Sequence, residues 1–600
     1  MARTNDEVAR ALGELATLTE IDEGSPQAFR VRAYQNAQRA IETFTRDVAE
    51  LGVSELSQLK GIGKSTAAKI REYVDTGTMA KLEALRAKHP IGKQELLKVP
   101  GLGPKTIGLL DELLGVRDLD GLKAAIADGR IAALPGLGEK TAENLSRAIE
   151  QLGLSSKQTR VPLYVAVPLA ERLVARLLRV DGVEHAEYAG SVRRFRETIG
   201  DLDILVATTD AAAVTEAFLG FDEVADTIGS GTTKTSIVTR EGVQVDLRVV
   251  PPESFGAALL YFTGSKAHNI RLRQRALKRG FTLNEYALAR LPEDAETDTD
   301  PDAEEPPKVD TADLEVVAQR TEADIYAALD LPWIAAEQRE DAGEIEAAEA
   351  GSAPRLVTRE DIRGDLHDHT DWSGDGRASL EDMVAGAVAR GHAYLGLTDH
   401  AENLTINGIS REGMLKQRRI VRELEQQRGD IRLLHGAELN IGVDGSLDYD
   451  AEFLAGYDWL VASVHSHFTR PVAVQTARVV AAIRHPSVTA IGHLHGRMIG
   501  KRPGIELDLE QVLDAAAETG TAIEINCNLR RLDASAEVIR EGATRGVTFV
   551  ISTDSHSVPE LDNLRHGVAN ARRGGLDRDQ IANTWPLDRF ESWITRIRGA

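Results

Sequence analysis

Two groups of metal-binding residue types stand far apart in this 600-residue chain. The first contains Asp201, Asp203 and Asp246, and the last of these lies in the alternating apolar stretch 243–250. Alternate residues of a β-strand point to the same face, so Asp201 and Asp203 can face one site. Three carboxylates on adjacent strands would hold two Mg²⁺ ions, which prefer oxygen ligands and bridge substrate phosphates. The pattern predicts two-metal attack by a 3′-hydroxyl with pyrophosphate as the leaving group.

A short motif upstream of the carboxylates supports this chemistry. Gly190 and Ser191, with Arg194, offer a backbone N–H, a hydroxyl and a guanidinium to a triphosphate. A lone Asp-x-Asp is usually a solvated strand end. Gly-Ser, an Asp-x-Asp about ten residues later and a third strand Asp together are a far more specific combination.

The second group lies beyond residue 361, where seven apolar runs end in metal-binding residue types. Its strand-end residues are His367, His369, His400, Glu438, His465, His493, Asp554 and His556. Imidazole combined with carboxylate suits Mn²⁺, Zn²⁺ or iron, and two or three such ions would activate water for phosphoester hydrolysis. Helical stretches separate several of the runs, so the elements that position these ligands are predicted to form a β/α barrel.

The N-terminal third repeats one turn three times between helix-like stretches. Glycine permits a tight hairpin and close approach of a phosphate, and the following helix N-terminus offers N–H groups to it. Three copies predict helix-hairpin-helix binding to the DNA backbone without sequence readout. The glycines concerned are Gly61, Gly63, Gly101, Gly103, Gly136 and Gly138.

Lys69 lies early in the helix after the first hairpin, where an amine near phosphate could form a Schiff base with an abasic sugar. The alternative is an ordinary surface lysine. From spacing alone the surface lysine is favoured.

The composition bounds the setting. The hydrophobic fraction is 42% and no apolar run has the roughly 18 residues that a membrane span requires. The single cysteine, Cys527, excludes an intrachain disulfide and favours a cytoplasmic protein. The net charge is −23, yet residues 266–279 hold six basic residues and residues 293–307 hold eight acidic ones. The basic run is either a solvated helix face or a nucleic-acid contact, and its position after the carboxylates favours the second.

The motifs together resemble family X DNA polymerases over roughly residues 1–340. The matching runs are Gly-Ser-Val-Arg-Arg from Gly190, Gly-Asp-Leu-Asp-Ile-Leu, Val-Asp-Leu-Arg, Leu-Tyr-Phe-Thr-Gly-Ser and Gly-Phe-Thr-Leu-Asn-Glu-Tyr. The resemblance implies metal ligands at Asp201, Asp203 and Asp246, with Mg²⁺ or Mn²⁺ as the two ions. It also makes Lys69 the lyase lysine, which brings the two interpretations of that residue to about even.

The same resemblance assigns substrate contacts. It implies that Arg273 faces the templating base and that dNTPs and gapped or nicked duplex DNA are the partners. The implied triphosphate and nucleotide contacts are Gly190, Ser191, Arg194, Tyr261, Phe262, Gly264 and Asn269.

The C-terminal region, over roughly residues 361–575, resembles the PHP (polymerase and histidinol phosphatase) domain. This resemblance adds Asp375 to the eight strand-end ligands. It implies a 3′–5′ exonuclease, with abasic-site endonuclease or 3′-phosphatase activity as further expectations.

The expected fold is multidomain, with helical and α/β parts and a distorted C-terminal barrel of about seven strands. We expect a helical lyase-like domain with the first hairpin at 1–90 and fingers with the other hairpins at 91–155. A nucleotidyltransferase palm at 156–255, a thumb with an acidic insertion at 256–335, a linker at 336–360 and a PHP domain at 361–600 follow. The expected protein is a monomeric DNA repair polymerase; the alternative is a DNA-binding scaffold in which only the PHP phosphoesterase works.

Overall fold

The computed structural model describes most of the chain. The described residues are 5–23, 29–42, 48–59, 61–88, 96, 102, 104–116, 119–132, 134, 137–138, 142, 145, 160–292, 311, 313–404 and 407–598. The chain divides into two compact units, Met1–Thr159 and Arg160–Ala600. Within the described residues, no helix combines the length and the apolar character needed to cross a bilayer.

The first unit is helical. Its helices span Asn5–Glu23, Phe29–Glu42, Val53–Leu56, Lys64–Thr76, Ala80–Lys88, Pro104–Leu114 and Leu119–Ala127. Apolar residues at helical spacing, such as Val8, Leu12 and Leu15, are fully buried and pack with Ile70 from the helix after the first hairpin. This packing fixes the direction in which that helix leaves the hairpin.

Several predicted features lie outside the described residues. Gly101, Gly103 and Gly136 of the second and third hairpins are among them, whereas Gly138 is described and exposed. Most of the acidic insertion, residues 293–310, also lies outside the described part of the chain.

The second unit begins with a mixed sheet in the region predicted as the palm. Its strands are β1 (Val161–Pro162), β2 (Val183–Tyr188), β3 (Thr198–Ile199), β4 (Leu202–Thr208), β5 (Val224–Ser230), β6 (Lys234–Thr239) and β7 (Gln244–Val250). The five-stranded sheet has the order β2-β4-β7-β6-β5, and β1 pairs with β3. Apolar residues such as Ile204, Val206 and Leu247 bury the sheet against the amphipathic helix Leu163–Leu177. The helices Gly190–Arg193 and Ala211–Leu219 complete the palm.

The thumb follows the palm. It contains the helices Phe255–Thr263, Lys266–Lys278, Glu322–Ala328 and Glu344–Glu349 and the strands β8 (Phe281–Leu283), β9 (Leu288–Arg290) and β10 (Val316–Ala318). Residues 336–360 are predicted as a linker, but Ile345 and Ala348 in this segment pack into the thumb core. They do so because they lie three residues apart and share one face of a short helix. The domain boundaries stay predictions.

The C-terminal part is the predicted barrel. Seven parallel strands pair in chain order, β11 (Gly364–Asp368), β12 (Tyr394–Leu397), β13 (Arg432–Asn440), β14 (Trp459–Ser463), β15 (Ala490–Ile491), β16 (Ala522–Asn526) and β17 (Phe549–Ser552). A bridge between Asp368 and Ser555 brings the first and last strand ends together, so the barrel is nearly closed. All seven apolar runs are strands, and the expected fold class is confirmed.

Helices connect and cover the barrel strands. They span Leu380–Ala389, Arg411–Arg428, Ala451–Ala455, Val472–Ile483, Leu509–Thr519, Ala536–Thr544, Leu564–Arg573 and Leu587–Arg598. Several begin at a Ser or Asp whose side chain accepts a hydrogen bond from the first turn, as at Ser379, Ser410 and Ser535. These caps fix the residue at which each helix begins and so the length of the loop between strand and helix. The candidate ligands lie at strand ends and in these loops.

Candidate functional site

The palm carboxylates come together through strand pairing. β4 and β7 are parallel neighbours, and their register places Asp203 directly beside Asp246. Asp201 precedes β4 and is exposed. Burial, followed by the charges of Asp201 and Asp246, raises the pKa of Asp203 to about 7. Clustered carboxylates with a raised pKa are the electrostatic signature of a site that receives cations.

Asp246 is held differently. Lys234 Nζ, on the next strand β6, lies 2.6 Å from Asp246 Oδ2, and Gln244 Nε2 donates to Oδ1 at 3.2 Å. Burial acts to raise the pKa of Asp246, but hydrogen bonds from Lys234, Ser236 and Gln244 outweigh it and lower the pKa. The sequence pattern missed Lys234, because only the pairing of β6 with β7 brings it to the carboxylates.

Gly190 and Ser191 open a short helix against β4. Gly190 has a φ of +64°, and a Cβ there would lie 2.6 Å from Asp203 Oδ2. Only glycine permits this close approach without moving the carboxylate. Ser191 is half-buried in the same turn.

Arg194, expected to contact the triphosphate, is tied to the thumb. Its Nη1 donates to the carbonyl of Thr263, and its Nε lies 3.1 Å from Glu340 Oε1. Arg573, from the barrel, donates to the same Glu340 oxygen at 2.9 Å and to the Arg194 carbonyl at 3.0 Å. In this conformation the guanidinium is paired with a carboxylate rather than directed to an open anion site.

The expected nucleotide contacts cluster on two consecutive thumb helices. Asn269 Nδ2 donates to the Tyr261 carbonyl at 2.7 Å, and Tyr261, Asn269 and Arg273 line one small cavity of about 10 Å³. The guanidinium of Arg248 lies 4.2 Å from the ring centre of Phe262. The turn at Gly264, φ +68°, approaches Arg194.

The basic run 266–279 is partly neutralised. Arg271 and Arg275 pair with Glu346 and Glu349 of the helix Glu344–Glu349, and Arg279 lies 3.3 Å from Asp330. These partners lie about 50 to 75 residues away in the chain, so the sequence could not reveal them. This finding favours a paired helix face over a free nucleic-acid contact.

The first hairpin has the expected geometry. Gly61 has a φ of +91°, and Gly63 is the N-terminal cap of the next helix, with open space where a Cβ would stand. Lys69 Nζ donates to Ser65 Oγ at 2.9 Å and lies 5.8 Å from the ring centre of Tyr34. Partial burial lowers the pKa of Lys69, which favours the neutral amine that a Schiff base requires.

The barrel brings all nine sequence-predicted residues to one place. Glu438 is the centre of the group. Its carboxylate oxygens lie 2.8 Å from His400 Nδ1, 3.1 Å from His465 Nε2 and 2.9 Å from His493 Nε2. His367 Nε2 lies 3.5 Å from the same carboxylate. Ligands at the ends of six strands, β11 to β15 and β17, thus converge at the carboxyl end of the barrel.

Two further carboxylates complete the group. Asp554 Oδ1 lies 3.4 Å from His369 Nε2, and Asp375 Oδ2 lies 3.2 Å from His400 Nε2 and 3.5 Å from His556 Nε2. Three sets of ligand atoms each lie within 4.8 Å of one another. They are His369, Asp375, His400 and His556; His367, His369 and Asp554; and His400, Glu438 and His465.

The donor atoms in this cluster fit divalent metal ions. His367 Nε2, both ring nitrogens of His369 and Asp375 Oδ1 are sealed from solvent and have no hydrogen-bond partner among the described residues. Buried polar atoms without partners are rare and indicate a missing ligand. Imidazole nitrogen with carboxylate oxygen is the donor set of transition metals. The cluster could therefore hold metal ions.

Charge is strongly redistributed within the cluster. Burial, then the neighbouring His400 and His556, lowers the pKa of His369 to about 3. Burial opposes protonation of His400 too, but Glu438 and Asp375 outweigh it and raise its pKa to about 10. The cluster thus shifts the pKa values of neighbouring imidazoles in opposite directions, and strongly shifted pKa values are typical of functional sites.

Residues behind the ligands were missed by the motif. Glu524 Oε1 lies 2.7 Å from His367 Nδ1 and orients the ring so that Nε2 faces the cluster. Asp399 accepts hydrogen bonds from Thr370 at 2.7 Å and from Gln417 at 2.6 Å. A charged residue within a buried strand, as in Ile523-Glu524-Ile525, was the signal that could have revealed Glu524.

Family comparisons match successive parts of the chain. Residues 3–79 match a helix-hairpin-helix domain, and residues 93–151 match a SAM-like helix-hairpin-helix tandem. Residues 258–340 match the DNA polymerase beta thumb, and residues 365–528 match the PHP domain.

Relatives cover either the whole chain or its barrel. The "DNA polymerase/3'-5' exonuclease PolX" of Bacillus subtilis is 35% identical over 593 residues, 98% of this chain and 99% of that protein. Probable phosphatases of Vibrio parahaemolyticus and Acetivibrio thermocellus are each 28% identical. They match 37% and 39% of this chain, and 90% and 95% of their own lengths. With helix-hairpin-helix regions, a polymerase thumb and a PHP barrel in one order, the chain belongs to the bacterial family X DNA polymerases with a C-terminal PHP domain.

Proposed function

We propose that the protein is a DNA repair polymerase that fills short gaps and also hydrolyses DNA phosphoesters at its barrel. One observation carries the polymerase part: Asp203 and Asp246 stand side by side on parallel strands, with Asp201 at the strand entrance. Such a carboxylate group is suited to two Mg²⁺ or Mn²⁺ ions. These ions would activate the primer 3′-hydroxyl and stabilise the leaving pyrophosphate.

The palm residues have distinct parts in this proposal. The Gly190–Ser191 turn lies against Asp203 and offers its N–H and hydroxyl to the dNTP phosphates. The Arg194 guanidinium pairs with Glu340, so it must break or loosen this ion pair to contact the same phosphates. Binding of dNTP is therefore expected to rearrange the contact between palm and thumb.

The barrel is proposed to act as a 3′–5′ exonuclease on DNA. Support comes from the three overlapping ligand sets and from the relatives, which are named as a 3'-5' exonuclease and as probable phosphatases. Mn²⁺, Zn²⁺ or iron would supply an activated water there, and three ligand sets match two or three ions. Abasic-site endonuclease and 3′-phosphatase activities also hydrolyse a phosphoester P–O bond. We propose them as secondary activities.

A crossed pair of variants tests the two-site proposal. We expect Asp246→Ala to abolish dNTP incorporation on a gapped duplex and to leave hydrolysis of single-stranded DNA near the wild-type rate. Asp554→Ala should have the opposite effect and reduce bound transition metal in elemental analysis. Equal loss of both activities in folded variants would refute separate sites. Hydrolysis without any incorporation by wild type would establish the scaffold alternative.

The remaining parts of the proposal concern setting and the first unit. We propose that the protein acts as a monomer in the cytoplasm on gapped or nicked duplex DNA. The hairpins would hold the DNA backbone. Lys69 would be the lyase nucleophile, supported by its lowered pKa and its place after the first hairpin.

A further inference from the structure

An arginine outside every motif lies at the barrel site. Arg531 stands in the loop after β16, with a side chain that is 21% exposed. Its Nε lies 3.6 Å from Asp554 Oδ2. Its Nη1 is sealed from solvent and finds no hydrogen-bond partner in the described part of the chain. Because burying an unpaired guanidinium nitrogen is costly, this arrangement indicates an acceptor that binds there.

Asp554 places Arg531 next to the imidazole cluster. One of its oxygens, Oδ1, faces His367 Nε2 at 3.8 Å and His369 Nε2 at 3.4 Å. The other, Oδ2, faces Arg531 and accepts a hydrogen bond from Asn526 Nδ2 at 3.1 Å. A single carboxylate thus separates the guanidinium from the metal-binding imidazoles. An anion bound beside Asp554 would therefore lie close to both the guanidinium and the imidazoles.

The loop that carries Arg531 is held from the palm side. Leu532 is fully buried in the palm core, and the guanidinium of Arg530 lies 4.6 Å from the ring centre of Tyr164. The Arg531 carbonyl accepts a hydrogen bond from Arg497 Nε at 2.9 Å, and Arg497 pairs with Glu197 of the palm at 2.6 Å. The backbone that carries Arg531 is therefore held in place, which reduces the entropy lost on binding.

A second guanidinium strengthens the case for an anion. Burial, and then the charge of nearby Arg531, lowers the pKa of Arg502. Arg502 donates to the Gly496 carbonyl at 2.7 Å and lies 4.0 Å from the ring centre of Phe468. The two guanidinium groups repel each other, and a bound anion would reduce that repulsion.

We propose that Arg531 is a phosphate-binding residue of the barrel site, whose guanidinium donates to the non-bridging oxygens of the scissile phosphoester. The planar guanidinium matches the geometry of a phosphate, and its charge is permanent. This inference rests on the proposed hydrolytic function and adds the residue that recognises the substrate phosphate.

The test compares full-length wild type, Arg531→Gln, Arg531→Lys and the control Arg530→Gln, each loaded with Mn²⁺. Arg530→Gln removes the same charge one residue away, from an exposed side chain on the palm side of the loop. Inorganic phosphate is titrated by calorimetry, and bound manganese is measured in parallel. We expect Arg531→Gln to weaken phosphate affinity roughly 10- to 100-fold at unchanged metal content. Arg531→Lys should retain part of the phosphate affinity, and Arg530→Gln should bind phosphate as tightly as wild type.

Three results overturn the assignment. The first is equal phosphate affinity in Arg531→Gln and Arg530→Gln, and the second is wild type that binds no phosphate. The third is loss of manganese from Arg531→Gln, which would show that the arginine acts on Asp554 instead. Hydrolysis of single-stranded DNA is measured separately. Failure of wild type to hydrolyse refutes the proposed function, while the phosphate titration still decides the role of Arg531.

Discussion

Asp203 is the palm carboxylate whose ionisation is made costly by its surroundings. Burial, then the charges of Asp201 and Asp246, raises its pKa from 3.8 to about 7. We expect Asp203→Asn to make the metal-free protein more stable than wild type at pH 8. The amide keeps the shape of the side chain and removes a mostly buried charge that the cluster repels.

The magnitude follows from the two pKa values. The pKa of Asp203 rises from 3.8 to about 7 on folding. At about 1.36 kcal/mol per pKa unit, wild type loses about 4 kcal/mol of unfolding free energy above pH 7. Partial exposure lets solvent screen the repulsion, so about 2–4 kcal/mol is expected. Folded protein holds a proton on Asp203 that the unfolded chain releases. The stability of wild type relative to the variant therefore falls between about pH 4 and pH 7 and then levels off.

Thermal unfolding in a chelating buffer at pH 5, 6, 7 and 8 measures this effect. Asp222→Asn is the control, because that carboxylate is 96% exposed in the same palm. The Tm difference between Asp203→Asn and wild type should widen by a few degrees up to pH 7, whereas the control should not change with pH. Added Mg²⁺ should stabilise wild type more than the variant. A difference that is absent at pH 8, or constant across the pH range, would refute the reasoning.

Three further predictions concern glycine geometry and the lysine. Gly190→Ala places a methyl group 2.6 Å from Asp203 Oδ2 and strains a positive φ. It should reduce incorporation at least about 10-fold, the equivalent of about 1.4 kcal/mol, and leave hydrolysis unchanged. Gly61 has a φ of +91°, which valine adopts only with strain. Gly61→Val should therefore weaken binding to gapped duplex without affecting either activity at saturating DNA. Unchanged affinity in a filter-binding titration would contradict a phosphate contact. Lys69→Ala should abolish borohydride trapping on a 5′-deoxyribose-phosphate end, and Lys64→Ala is the matched control. Loss of trapping only in Lys64→Ala would assign the chemistry to Lys64.

The fold was accessible from the sequence where local pattern decides it. Seven apolar runs with polar ends predicted seven strands, because strand propensity and burial depend on residues that are neighbours in the chain. The Gly61–Gly63 hairpin was equally local, since a positive φ is a property of one residue. The packing of the segment predicted as a linker, residues 336–360, was harder to predict from the sequence. Its buried residue Ile345 shows its partner only when the thumb core is formed.

The sequence by itself determined which residue types carry chemistry and on which strand ends they stand. Period-two alternation identified Asp203 and His367, because side-chain direction within a strand is a local property. Tertiary structure alone decided what those residues face. Lys234 reaches Asp246 through strand pairing, Glu340 holds Arg194 from 146 residues away, and Arg531 turns toward Asp554 because its loop is buried against the palm. Charges act through space, and the chain order does not encode the distances between segments until they pack.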